Sequence, residues 1–83
     1  LILNALVTGA GGFLGFEIVR QLLARGDTVR GLARGRYAKL DELGVESIQA
    51  DVRDTPRVRA ALKGIDVVFH TAAVAGIWGP WAH

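Results

Sequence analysis

Thr8-Gly9-Ala10-Gly11-Gly12-Phe13-Leu14-Gly15 stands between two apolar stretches of different period. Before it lies Leu1-Ile2-Leu3-Asn4-Ala5-Leu6-Val7, a strand-like run. After it, Leu14, Ile18 and Leu22 recur at i, i+4 and i+8, the spacing of one helix face. A glycine-rich turn joining a buried strand to a helix N-terminus is where a βαβ unit seats a pyrophosphate. The N–H groups there lack intrahelical partners, and the helix dipole favours an anion. Glycines 9, 12 and 15 make G-x-x-G-x-x-G, and Leu14 fills the place of the last glycine in the G-x-G-x-x-G register. Gly9 permits a sharp exit from the strand, Gly12 omits a Cβ that would hold phosphates off, and Gly15 lets the helix lie close on the sheet. With Gly11, Phe13 and Leu14 they form the candidate cofactor-binding turn. Because 11 of 83 residues are glycine, the triplet carries weight through its place between strand and helix. It points to a bound dinucleotide.

Outward from this turn, strand and helix signals alternate to the end of the chain. Residues 3–8 read as a first strand, apolar throughout and so buried on both faces. Residues 13–25 read as a helix whose stripe of Leu14, Ile18, Val19, Leu22 and Leu23 faces the sheet. Gly26 closes it, and Asp27 starts the turn into a second strand at 28–33. A short helix over 38–43, ended by Gly44, precedes a third strand at 45–50, polar enough for an edge. Thr55-Pro56 opens a third helix, reaching Lys63 with Val58, Ala61 and Leu62 inward. A fourth strand, 66–70, has Val67, Val68 and Phe69 as its apolar centre. Right-handed crossovers then predict a Rossmann-type, doubly wound parallel sheet in the order 3-2-1-4, its switch point between strands one and four. Ligands bind such sheets outside the carboxyl ends of the strands.

Three further segments fall at those ends. A ribose 2′-hydroxyl is held by an acidic residue about 20 positions after the glycine turn. Here that place holds Leu32-Ala33-Arg34-Gly35-Arg36, with no acid between Asp27 and Asp41. An arginine suits a 2′-phosphate, through charge-assisted bonds worth about 1.5–3 kcal/mol. Arg34 is the candidate, with Arg36 as a helper; a solvated Arg34 with NAD as cofactor is the competing reading. Asp51 can accept from the adenine amino group while Val52 covers the ring, or Asp51 can cap the third helix, a role for which Asp54 is better placed. Thr71-Ala72-Ala73 offers small side chains over which a ribose or pyrophosphate passes, and the same residues could merely pack. His70 has no sequence neighbour to make it catalytic and is expected to order a loop. Ile77-Trp78-Gly79-Pro80-Trp81 reads either as a wall of an apolar substrate pocket or as packing against more of the domain.

Composition narrows the classes. No apolar run is long enough to span a membrane, and the start lacks the basic-then-apolar layout of a signal peptide. Without cysteine there are no disulfides and no thiolate metal sites, which fits a cytoplasmic protein. The pI of 9.7 reflects a net charge of only +2, with the ten basic residues interspersed by acids and lacking stacking aromatics. That pattern indicates solvated arginines and excludes a nucleic-acid surface. A chain without methionine that stops soon after a Gly-Pro turn is expected to be a piece of a longer one.

The glycine turn resembles the T-G-x-x-G-[FY]-[IL]-G signature of the extended short-chain dehydrogenase/reductases, of the NAD-dependent epimerase/dehydratase superfamily. Asp51-Val52 is similar to that family's adenine-contacting pair, and His70-Thr71-Ala72-Ala73 to its H-x-A-A after strand four. Thr28-Val29-Arg30-Gly31-Leu32-Ala33-Arg34 resembles NADP-preferring, dihydroflavonol-reductase-like members. Ala75-Gly76-Ile77-Trp78-Gly79-Pro80-Trp81 resembles the 3β-hydroxysteroid-dehydrogenase-like and 2-alkyl-3-oxoalkanoate-reductase branch. The resemblance implies hydride transfer between NADP(H) and the ketone or alcohol carbon of a hydrophobic small molecule, in a protein that can form homodimers. It also implies a Tyr-x-x-x-Lys pair with Ser or Thr for proton transfer. Those residues are absent: Tyr37 is the sole tyrosine, Asp41 stands where the lysine would be, and Tyr37 is expected at the adenosine end of the site. Two alternatives stay open, an NAD-dependent nucleotide-sugar epimerase or dehydratase and a non-catalytic redox sensor.

Overall fold

The computed structural model describes residues 1–71. Its elements alternate as β1 (Asn4–Thr8), α1 (Phe13–Arg25), β2 (Thr28–Ala33), α2 (Ala38–Glu42), β3 (Glu46–Gln49), α3 (Thr55–Ala61) and β4 (Val67–His70). All three strand pairs are parallel, and the sheet runs β3-β2-β1-β4, the order that right-handed crossovers predict. Thr8 lies opposite both Leu32 and His70, so the carboxyl ends of β2, β1 and β4 form one row.

Both faces of the sheet are covered. Ala5 and Val7 of β1 point to one face, against Val19 and Leu22 of α1, Leu40 of α2, and Val29 and Val45. Leu6 points to the other, against Leu32, Ala50 and Ala61 of α3. Side chains alternate along a strand, so β1 can be apolar throughout only because helices lie on both sides of it.

Glycine and aspartate set the element ends. Gly26 takes φ 93°, and the N–H groups of Gly26 and Asp27 reach back to Leu23 and Leu22 carbonyls at 2.9 and 3.0 Å. This is a Schellman closure of α1. Asp27 does more than start a turn. It is buried, its Oδ1 accepts the Leu3 N–H at 3.1 Å, and its Oδ2 pairs with Arg25 Nε at 3.2 Å. Asp54 caps α3 by accepting the Arg57 N–H at 3.3 Å, with Pro56 in the first turn.

Several expectations need correction. Leu14 does not face the sheet: it is exposed, and Gly15 occupies the buried place beside the strands. Leu62 is exposed as well, because α3 ends at Ala61 and leaves Val58 and Ala61 to pack inward. Val68 is also exposed, while Val67 and Phe69 pack on the α1 side. β1, α2, β3, α3 and β4 are each one or two residues shorter than expected, although the N–H groups of Ala50 and Asp66, just outside β3 and β4, still bond to the Ala33 and Asn4 carbonyls. Arg30 departs from the general expectation of solvated arginines. From β2 its Nη1 donates to the carbonyls of Ala61 and Lys63 at 2.7 and 2.8 Å, and its Nε to Glu46 Oε1 at 3.0 Å. No helix among the described residues is long and apolar enough to cross a membrane.

Candidate functional site

The turn from β1 into α1 opens beside the switch point between β1 and β4, where ligands of doubly wound sheets bind. Gly9 adopts φ 67°, a left-handed conformation that an L side chain rarely takes, and this bends the chain out of β1. The Ala10 N–H bonds to the Leu32 carbonyl at 3.2 Å and the Gly12 N–H to the Gly9 carbonyl at 3.0 Å, which fixes the turn against β2. Gly12 caps α1 with no side-chain bond, and the first turn of the helix contains no acid. The opening N–H groups of α1, at Phe13 and Leu14, therefore meet no carboxylate from their own helix.

The glycines of the triplet differ in what they exclude. A Cβ on Gly15 would lie 2.1 Å from the Gly9 carbonyl oxygen and 3.0 Å from Thr71 Oγ1, so no larger residue fits. A Cβ on Gly12 would meet only the Gly9 oxygen at 3.4 Å, an ordinary contact, and φ there is −81°. The fold needs glycine at position 15 and not at position 12. Gly11 is governed by Tyr37, whose ring carbons would come within 2.3 Å of an added Cβ. Lys39 Nζ sits 4.5 Å from the Phe16 ring centroid and 5.9 Å from that of Tyr37, linking the β2–α2 loop to α1.

A cleft of about 380 Å³ runs from this turn across the ends of β2 and β3, lined by Gly9, Gly11, Gly12, Leu32, Ala33, Arg34, Tyr37, Ala50, Asp51, Val52 and Arg53. Three glycines of the turn, Arg34 and the Asp51-Val52 pair thus share one wall system, although they are distant in sequence. Phe13 and Leu14, next in the chain, have exposed side chains that do not line the cleft. Thr71 sits behind the turn: its Oγ1 donates to the Thr8 carbonyl at 2.5 Å. Ala72, Ala73 and the segment 77–81 lie outside the described residues. Arg36 turns towards Asp41, Nε to Oδ2 at 3.6 Å, instead of joining Arg34.

Asp51 is held by two arginines. Its carboxylate accepts from the Arg53 N–H at 2.8 Å, Nε at 3.1 Å and Nη2 at 2.8 Å, and Arg34 Nε stands 3.7 Å from Oδ2. Hydrogen bonds from the Arg53 side chain and backbone, with the charges of Arg53 and Arg34, hold this carboxyl well below the usual carboxylate range. It does not cap α3, which Asp54 does. His70 Nδ1 lies 2.7 Å from Thr8 Oγ1, so it joins β4 to β1 at their carboxyl ends, where it was expected to order a loop.

Tyr37, expected at the adenosine end, lines the cleft. Sequence reasoning missed Arg53 as a cleft residue, although it follows Asp51 by only two positions. A second cleft, about 360 Å³, lies at the opposite ends of the strands around Asn4, Thr28, Glu46 and Ile65, where this architecture does not bind nucleotides.

These features define a Rossmann-type α/β sheet with a glycine-rich turn at its switch point. The chain belongs to the NAD dependent epimerase/dehydratase family, whose profile matches residues 5–81. It is 51% identical over 76 residues to a 2-alkyl-3-oxoalkanoate reductase of Shewanella oneidensis, covering 92% of this chain and 20% of that protein. A second 2-alkyl-3-oxoalkanoate reductase, from Stenotrophomonas maltophilia, is 43% identical over 79 residues, with 95% and 24% covered. Among solved structures, a short-chain dehydrogenase/reductase superfamily protein from Agrobacterium tumefaciens with bound NAD superposes with a TM-score of 0.74. It shares 29% identity, over 94% of this chain and 22% of that one. MoeE5 in complex with UDP-glucose and NAD gives 0.73 at 32% identity, over 96% and 25%. The chain thus spans about a fifth to a quarter of the length of these relatives.

Proposed function

We propose that residues 1–83 are the N-terminal part of a single NAD(P)-binding domain, in a longer oxidoreductase that uses NADP(H) to reduce a ketone on a hydrophobic substrate or to oxidise the corresponding alcohol. The observation that carries this is Gly12. Its backbone is ordinary and its missing Cβ faces little protein, so what glycine keeps clear is room in the cleft. The donor set suits a dinucleotide. The Phe13 and Leu14 N–H groups would face the diphosphate, Asp51 would accept from the adenine amino group, and Val52 would flank the ring. Thr71, Ala72 and Ala73, by their small side chains, would leave room for a ribose or the pyrophosphate, and Arg34 would pair with the 2′-phosphate. When bound, the nicotinamide supplies or accepts the hydride; the residues of this chain bind and orient. The substrate class rests on relatives whose names specify alkyl ketone and steroid chemistry.

The 2′-phosphate assignment is tested in the full-length protein that carries this chain. Arg34→Asp should weaken NADPH binding about ten- to hundredfold in a fluorescence titration and leave NADH binding nearly unchanged. Equal losses for the two, or none, would overturn it. The likeness to MoeE5, whose structure holds UDP-glucose and NAD, favours a second reading, an NAD-dependent nucleotide-sugar enzyme. Under that reading the wild-type protein prefers NADH, and Arg34→Asp changes neither affinity.

A further inference from the structure

Asp51 binds more cation than the fold explains. Arg53 grips it through two side-chain N–H groups and one backbone N–H, and Arg34 approaches the same Oδ2 from the end of another strand. The side chains of Arg34 and Arg53 are 79% and 82% exposed, and ion pairs this open to water contribute little to stability. Both line the cleft alongside Gly9, Gly12 and Val52. Two planar guanidinium forks converge on a single carboxylate, leaving one positive charge in excess. A phosphate monoester carries about −1.5 to −2 charges and accepts such forks through the same in-plane geometry.

We propose that Arg53 is the second guanidinium of the 2′-phosphate subsite, and that Asp51 holds Arg34 and Arg53 in position for it. This rests on the reading of Arg34 as a 2′-phosphate contact. An ionised carboxylate offers about four acceptor directions, so Asp51 can accept from the adenine amino group while keeping the Arg53 backbone bond. The Arg53 fork is then free to turn from Oδ1 and Oδ2 towards the phosphate. Arg53 would thus set the choice between NADPH and NADH jointly with Arg34, from the loop after β3 instead of the loop after β2.

The test is titration of the full-length protein with NADPH and NADH, comparing wild type, Arg53→Ala, Arg53→Lys and Arg34→Ala. The expected result is an NADPH affinity lowered about tenfold or more in Arg53→Ala, with NADH affinity unchanged or raised as Asp51 is released to adenine. Arg53→Lys should fall between, having the charge without the fork. If Arg53→Ala weakens both cofactors by one factor, Arg53 merely orients Asp51 and the proposal fails; it fails equally if neither affinity moves. A wild type that does not favour NADPH, or an Arg34→Ala that leaves the preference intact, instead brings down the underlying 2′-phosphate reading.

Discussion

Gly12 and Gly15 occupy equivalent places in the sequence triplet, yet the structure demands opposite things of them. Gly15 is locked by the Gly9 carbonyl, and a methyl group there must displace backbone. Gly15→Ala should lower stability by at least about 1–3 kcal/mol, the usual cost of overpacking, read as a drop in melting temperature of the full-length protein. Gly12→Ala should melt within a degree or so of wild type and lose dinucleotide affinity, because its methyl group enters the cleft and not the core. A Gly12→Ala protein that binds as well as wild type would show that the turn is architecture only. Spacing in the sequence located all three glycines, and Gly9 has the bend it was expected to have. The sequence also assigned Gly15 the close packing of helix on strand and Gly12 the room for phosphates; it could not show that the Gly9 oxygen and Thr71 are the groups that lock position 15. Leu14 misled for a related reason. Its i, i+4 relation to Ile18 is sound, but in the first turn of α1 Phe13 and Leu14 are exposed and Gly15 is the buried residue.

At the scale of elements, periodicity and punctuation carried most of the information. The limits of α1 and β2 follow from Gly12, Gly26 and the change from helical to strand period, and the start of α3 from Asp54-Thr55-Pro56. What holds α3 to the sheet was not legible, because the partners of Arg30 are main-chain carbonyls 31 and 33 residues away. A helix C-terminus leaves carbonyls without intrahelical donors and concentrates partial negative charge. Arg30 supplies a cation to both Ala61 and Lys63 carbonyls at that end, and so joins β2 to α3 across the face built on Leu6, Leu32 and Ala61. Arg30→Met retains most of the aliphatic stem and removes the guanidinium. It should destabilise the protein by about 1.5–3 kcal/mol in urea denaturation, the range for hydrogen bonds to a charged group. Glu46→Gln is the control: it disturbs only the exposed partner of Arg30 and should cost well under about 1 kcal/mol. Equal effects for the two variants would mean that the helix end is not what Arg30 supports.

For the molecule as a whole, the two outer strands of the sheet have unlike characters. β3 presents Glu46, Ser47 and Gln49, the polar dress of a strand that natural sheets leave at an edge. β4 presents Val67, Val68 and Phe69, which is the composition of an interior strand, and yet among the described residues it pairs only with β1. Exposed apolar groups gather on its side: Val68 is 43% exposed, and Leu62 at the end of α3 is 41% exposed. Relatives four to five times longer have ample chain to cover such a surface. Produced by itself, the 83-residue chain should therefore self-associate through β4, where an open apolar edge offers unpaired N–H and C=O groups to a second copy. Sedimentation velocity across a concentration series should reveal species heavier than the monomer. Val68→Lys places a charge on that strand without touching Val67 or Phe69, which pack on the α1 face, and should return the chain towards the monomer. A Ser47→Lys change on β3 should make no difference. If Val68→Lys leaves the association intact while Ser47→Lys abolishes it, the vulnerable edge is β3, and the polar pattern that marks it as a finished boundary has been misread.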